Sequence, residues 1–168
     1  MIPFIAGVAA CDSISPTLQY RSSDDTFARD GMSAFSLHFS FDVDLDNAII
    51  YEKIHGIWLA KTAQEYHLAF VEEVRPLLGK PWAKMVNLTN WKTSYPEVTE
   101  IIGKHLAWCV NNGLALSINI LSSQSTERQL GEMFVKGATA GISHIFKTVE
   151  EGQAHLREHW IKSSNNPF

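Results

Sequence analysis

The apolar residues of this chain change period partway along it, and that change constrains the fold more than any motif does. Phe35, Leu37, Phe39 and Phe41 alternate with Ser36, His38 and Ser40. A period of two leaves one buried face and predicts a strand. The polar stretch 42–47 (DVDLDN) predicts a turn, and residues 48–57 (AIIYEKIHGI) a second strand, antiparallel to the first because the turn is short. The period then becomes helical: Ala63, Tyr66, His67, Phe70, Val74, Leu77 and Leu78 recur at threes and fours. Gly79 and Pro81 stop that helix. Short apolar runs at 83–88, 114–121 and 143–147 predict three more strands. Helical faces built on Val98, Ile102 and Leu106 and on Leu130, Met133 and Phe134 separate them. Thr148 to Glu151 has the capping-box pattern and opens a last helix. The order ββαβαβαβα predicts an α/β fold: a single mixed sheet, with an N-terminal antiparallel hairpin followed by alternating helices and parallel strands joined by right-handed crossovers.

Charge narrows the partners. The chain has 168 residues and a formal net charge of −4, so it has no basic field with which to displace counterions from phosphates, and nucleic acid is not expected as a partner. The acidity sits at the front: residues 1–46 carry seven Asp and two Arg. Residues 1–31 include a Ser/Asp-rich stretch without sustained period and predict a flexible extension. Met32 stands just before the first strand, so it is a candidate true start, with 1–31 a mis-assigned leader. Residues 32–162 are then the folded domain and 163–168 a tail. No apolar run approaches the ~20 residues that span a bilayer. The apolar start lacks the basic residues of a signal peptide, and a cytoplasmic protein is expected.

Candidate chemistry is sparse. Two cysteines, Cys11 and Cys109, make neither a disulfide framework nor a four-thiolate zinc site, and Cys109 falls on an apolar helix face as a structural thiol. His155 and His159 form an H-x-x-E-H string that could hold zinc with Glu158 as general base. The usual third ligand is missing from the nine residues that follow, and an exposed polar helix face is the simpler reading of the string. Asp42, Asp44 and Asp46 begin like a calcium loop, but Asn47 and Lys53 occupy its diagnostic Gly and Glu positions. The sequence lacks a phosphate-binding glycine loop and a G-x-S-x-G elbow. His67 and His105 fall on or beside apolar faces as core or boundary residues. No cofactor and no metal is expected.

What remains is the segment after the middle strand. Sites in open α/β sheets form outside the carboxyl ends of strands. That position is predicted to be a loop holding Thr89, Asn90, Trp91, Lys92, Thr93, Ser94 and Tyr95, which then enters a helix. Ser94 with Glu97 also reads as a capping box, with Pro96 in the first turn.

Across about three quarters of the chain these features resemble the STAS-like proteins, typified by bacterial anti-sigma-factor antagonists (SpoIIAA-like). The shared features are the opening hairpin, the long helix, the middle strand whose trailing loop enters the next helix, Ser122-Ser123 after a later strand, and the stretch Phe146 to Gly152 (FKTVEEG). The resemblance implies a regulatory domain that binds another protein, an anti-sigma or sensor-type regulator, with a Ser or Thr phosphorylated where the helix opens; here that is Ser94 or Thr93. In place of the family's D-S-S-G-type string this chain has Thr93-Ser94-Tyr95-Pro96, and Asn87 to Thr89 stand where the strand usually ends in Asp. The expectation is therefore a divergent, non-enzymatic interaction domain without the usual phosphoswitch, docking through Trp91 and Tyr95, with a homodimer left open. Five tryptophans keep a second reading open, a small apolar-ligand or lipid-binding domain. The weakest is a metal-dependent hydrolase using His155 and His159.

Overall fold

The computed structural model describes residues 38–92 and 95–161. The extension 1–31, Met32, Cys11, the start of the first predicted strand, Thr93, Ser94 and the tail 163–168 lie outside the described residues. Strand β1 spans Phe39–Asp44 and β2 Ile49–Gly56. Helix α1 (Ala60–Val74) ends in a 3₁₀ turn, Arg75–Leu77. Strand β3 (Trp82–Trp91), helix α2 (Pro96–Asn111), strand β4 (Leu114–Ile120), helix α3 (Gln124–Lys136) and strand β5 (Ser143–Phe146) follow. Helix α4 (Val149–Leu156) continues into a π turn, Arg157–Ile161.

Among the described residues the strands form one sheet in the order β1-β2-β3-β4-β5. β1 is antiparallel to β2, and every later pair is parallel. The predicted α/β class and mixed sheet are what the chain adopts. Strands laid down in sequence order through right-handed crossovers place all three connecting helices on one face. There α1, α2 and α3 cover Ile50, Ile54, Val86 and Leu88. Among the described residues no strand follows helix α4, which closes the other face over Ile49, Met85, Ile118 and Ile120. It opens on the predicted capping box: Thr148 Oγ1 accepts from Glu151 N–H, and the Glu151 carboxylate accepts from Thr148 N–H.

Three expected boundaries move. The acidic turn is shorter, because β1 runs on to Asp44 and pairs with Ile49. Asp44 then accepts from the backbone and side-chain N–H groups of Asn47, at 3.0 and 2.7 Å, so this carboxylate fastens the hairpin. Helix α1 stops at Val74 and tightens into a 3₁₀ turn around Pro76, which has no N–H to continue the α ladder. Strand β3 outruns its predicted end and takes in Thr89, Asn90 and Trp91. A bulge in the pairing with β2 lets His55 oppose Asn90 and Gly56 oppose Trp91.

Helices α2 and α3 approach closely. A Cβ at Gly137 would lie 2.4 Å from Leu106 Cβ and 3.0 Å from the Gly103 carbonyl oxygen. Lys136 and Glu100 form an exposed ion pair across the same contact.

Candidate functional site

The carboxyl ends of β2 and β3 split their residues between inside and outside. Trp58, just past β2, is 1% exposed, while its neighbours Ile57 and Leu59 are 53% and 56% exposed. Trp91 closes β3 at 5% exposure, while Thr89, Asn90 and Lys92 face solvent. Lys92 N–H donates to the Gly56 carbonyl at 2.9 Å, which holds the two strand ends together. Tyr95 is 54% exposed and occupies the N-cap position of α2, where no side-chain cap forms. Leu59, Lys61, Tyr95 and Glu97 line one shallow hollow.

This arrangement corrects three expectations. Thr89, Asn90 and Trp91 are strand residues rather than loop. Trp91 cannot be a docking anchor, because its ring is buried edge-on against Trp58, with centroids 6.4 Å apart. The cap position of α2 falls on Tyr95 and not on Ser94; Pro96, at the first helical position, starts the helix there. Thr93 and Ser94, the phosphorylation candidates, lie outside the described residues.

Beneath this surface is a feature the sequence motifs did not indicate. Glu52 on β2 and Lys84 on β3 both point into the helix-covered face, 2% and 3% exposed, with Lys84 Nζ 3.5 Å from Glu52 Oε1. Tyr66 of α1 donates its hydroxyl to Glu52 Oε2. Burial first, then the Glu52 charge and that hydrogen bond, hold the Tyr66 phenol well above its ordinary pKa, so it remains a donor. His105 of α2 is 2% exposed, with Nδ1 3.0 Å from His67 Nδ1 and Nε2 3.5 Å from Cys109 Sγ. Burial, then Lys84 and His67, lower its pKa well below the ordinary value and keep the imidazole neutral. Burial pushes the Cys109 thiol up to about 12, which makes it a poor nucleophile and fits a structural thiol.

The signal for this cluster was present in the alternation. Glu52 has the parity of Ile50 and Ile54, and Lys84 that of Trp82, Val86 and Leu88. A charge at an inward position of a strand is costly unless paired, and the two charges meet because parallel pairing sets β2 beside β3.

The helix-covered face also holds a cavity. About 30 Å³ of it admits the centre of a water molecule, within roughly 410 Å³ of space that reaches open solvent. Trp58, Trp91, Leu88 and Phe134 are among its apolar walls, and Tyr66, Lys84, His105 and Asn119 among its polar ones.

On the opposite face His155 and His159 stack, with ring centroids 4.1 Å apart, and His144 of β5 lies 4.7 Å from His155. Among the described residues, no three His, Cys, Asp or Glu side chains are arranged to hold a metal ion. Burial, then His159 and His144, lower the pKa of His155.

The fold and these sites define an α/β domain with a mixed five-stranded sheet among its described residues, three helices on one face and one on the other. No protein-family model and no curated protein matches the chain. Among solved structures, the NMR structure of the protein TM1081 is similar, with 12% identity over 81% of this chain and 98% of that chain and a TM-score of 0.49. Among the described residues, no helix is long and apolar enough to cross a membrane.

Proposed function

We propose that this chain is a non-enzymatic regulatory domain that binds another protein at the carboxyl end of its sheet. One observation carries the reading. Ile57, Leu59 and Tyr95 are each more than half exposed at adjoining strand and helix ends, while Trp58 between the first two is fully buried. Exposed apolar and aromatic side chains grouped at one edge, with polar Thr89, Asn90 and Lys92 around them, have the make-up of a docking patch. The element order shared with the STAS-like proteins supports the same reading, with an anti-sigma or sensor-type regulator as the class of partner. The domain works without the phosphoswitch.

Affinity purification of the tagged full-length chain from its native cells tests this. Wild type and a distant control, Val135→Glu on α3, should retain the same partner. Leu59→Glu/Tyr95→Ala should lose it, and Ser94→Asp should keep it. Equal retention by wild type and the Leu59/Tyr95 variant rules the surface out. Sedimentation of the purified chain separates a second copy from a foreign partner.

A further inference from the structure

We infer that the outer edge of β1 pairs with the same edge of a second copy of this chain, joining two sheets into one across a twofold axis at Phe41. The contact rests on that strand edge and not on the docking surface at the carboxyl ends of β2 and β3.

Strand β1 ends the sheet order, so among the described residues no strand lies beyond it. His55 N–H donates to the His38 carbonyl at 2.9 Å, which makes these two residues a hydrogen-bonded pair. Such pairs alternate along an antiparallel ladder. With Ser40 opposite Lys53, Asp42 opposite Tyr51 and Asp44 opposite Ile49, the even residues of β1 turn their N–H and C=O toward β2. Phe39, Phe41 and Val43 turn theirs outward, an open template for another strand.

The residues along the edge select the partner. Residues 38–44 read HFSFDVD. A second, antiparallel copy must set odd residues against odd ones, since only those offer outward groups. An axis at Asp42 sets that carboxylate against itself, and an axis at Val43 sets Asp42 against Asp44 twice; both are repulsive. An axis at Ser40 leaves Val43 and Asp44 without partners in the segment. An axis at Phe41 pairs all of it. Phe41 meets Phe41 and Phe39 meets Val43 through main-chain hydrogen bonds. Ser40 meets Asp42 and His38 meets Asp44 at the non-hydrogen-bonded positions, where side chains come closest. Each carboxylate then faces a hydroxyl or an imidazole, so an edge that repels other acidic strands accepts its own copy. The apolar residues agree. Phe39, Phe41 and Val43 are part-buried on the helix-covered face, where the Phe41 ring centroid lies 5.6 Å from that of Tyr66 and 5.7 Å from that of Phe70. The twofold axis brings a second Phe41 beside the first and extends that aromatic cluster.

Sedimentation equilibrium of the full-length chain over a concentration series tests this, and wild type should be a dimer. Val43→Pro removes an outward N–H and none that reaches β2, so it should keep the circular dichroism of wild type and sediment as a monomer. His38→Asp sets carboxylate against carboxylate at both ends and should weaken the dimer about tenfold, while His38→Lys should not weaken it. Leu59→Glu/Tyr95→Ala should leave the dimer intact; losing it would assign self-association to the strand ends and overturn the edge. Mild oxidation in a Cys11→Ser background reads the register: Ser40→Cys/Asp42→Cys should form a covalent dimer and Ser40→Cys alone should not. A covalent dimer from Ser40→Cys alone moves the axis to Ser40 and overturns the pairing at Phe41. A wild type that stays monomeric up to about 1 mM, or a dimer that Val43→Pro and His38→Asp both leave at full strength, overturns the contact.

Discussion

On one face of the sheet, three helices enclose Glu52, Lys84, Tyr66 and His105 together with a cavity. On the other, α4 and its π turn close directly over Ile49, Met85, Ile118 and Ile120, with Leu156 of α4 packed among them. The sheet is shared, so the difference lies in what each strand presents at alternate positions. The α4 face keeps its titratable groups, His144, His155 and His159, at the rim, where water can reach them. The three-helix face keeps an ion pair in its middle. A buried ion pair seldom adds net stability, because desolvation offsets the attraction, but removing one partner is strongly destabilising. The helix-covered face therefore carries the chain's most specific internal chemistry, and the α4 face is close-packed support.

The largest predicted effect breaks that pair. Lys84→Met should leave the Glu52 carboxylate buried and uncompensated and cost about 3–5 kcal/mol in urea unfolding. Glu52→Gln/Lys84→Met should recover most of the loss, since Gln still accepts from Tyr66. A Lys84→Met cost below about 1 kcal/mol would mean that the two sides of the sheet do not differ in this way.

A smaller effect compares the closest helix contacts. Ala at Gly137 meets Leu106 Cβ and the Gly103 backbone, neither of which can move aside cheaply, and should cost about 1–3 kcal/mol. Ala at Gly152 on the α4 face meets the end of the Ile120 side chain, which can turn, and the Ile118 branch methyl, which gives less but is side chain rather than backbone. There the better helix propensity of Ala, worth about 1 kcal/mol, should offset much of the strain. If Gly152→Ala cost more than Gly137→Ala, the α4 face would be the more rigid one.

Acid should find the same asymmetry. The folded-state pKa values of His105 and His155 are lowered from the ordinary 6.5. The unfolded chain thus takes up protons first, and stability is fully present above pH 6.5 and declines as pH falls below it. His105→Gln should remove more of that decline than His155→Gln, because His105 is fully buried and His155 is near the surface. The smallest effect on stability belongs to the docking patch: Tyr95→Ala should change unfolding by no more than about 0.5 kcal/mol.

Much of the fold was legible in the sequence, since hydrophobic period and helix stops depend on local chemistry. The alternation before residue 57, the helical spacing from Ala63 and the capping box at Thr148 each encode one element with its own residues. What lay beyond reach depends on pairing. Strand β3 extends to Trp91 because a bulge lets β2 supply partners to that end, and this buried the tryptophan that looked like a surface anchor. The Glu52–Lys84 contact spans two strands joined by a whole helix, so neither residue signals the other locally. Tyr95 was legible as part of the surface, whereas Ile57 and Leu59 became candidates only once Trp58 was seen to turn inward between them.

In-cell photocrosslinking tests the docking reading most directly. A benzophenone side chain at position 95, and in separate chains at Val135 on α3 and at His155 on α4, samples the strand ends and the two layers. The account predicts a discrete adduct with another protein from position 95 and none from the other two. Adducts from position 135 or 155, with none from 95, would contradict it.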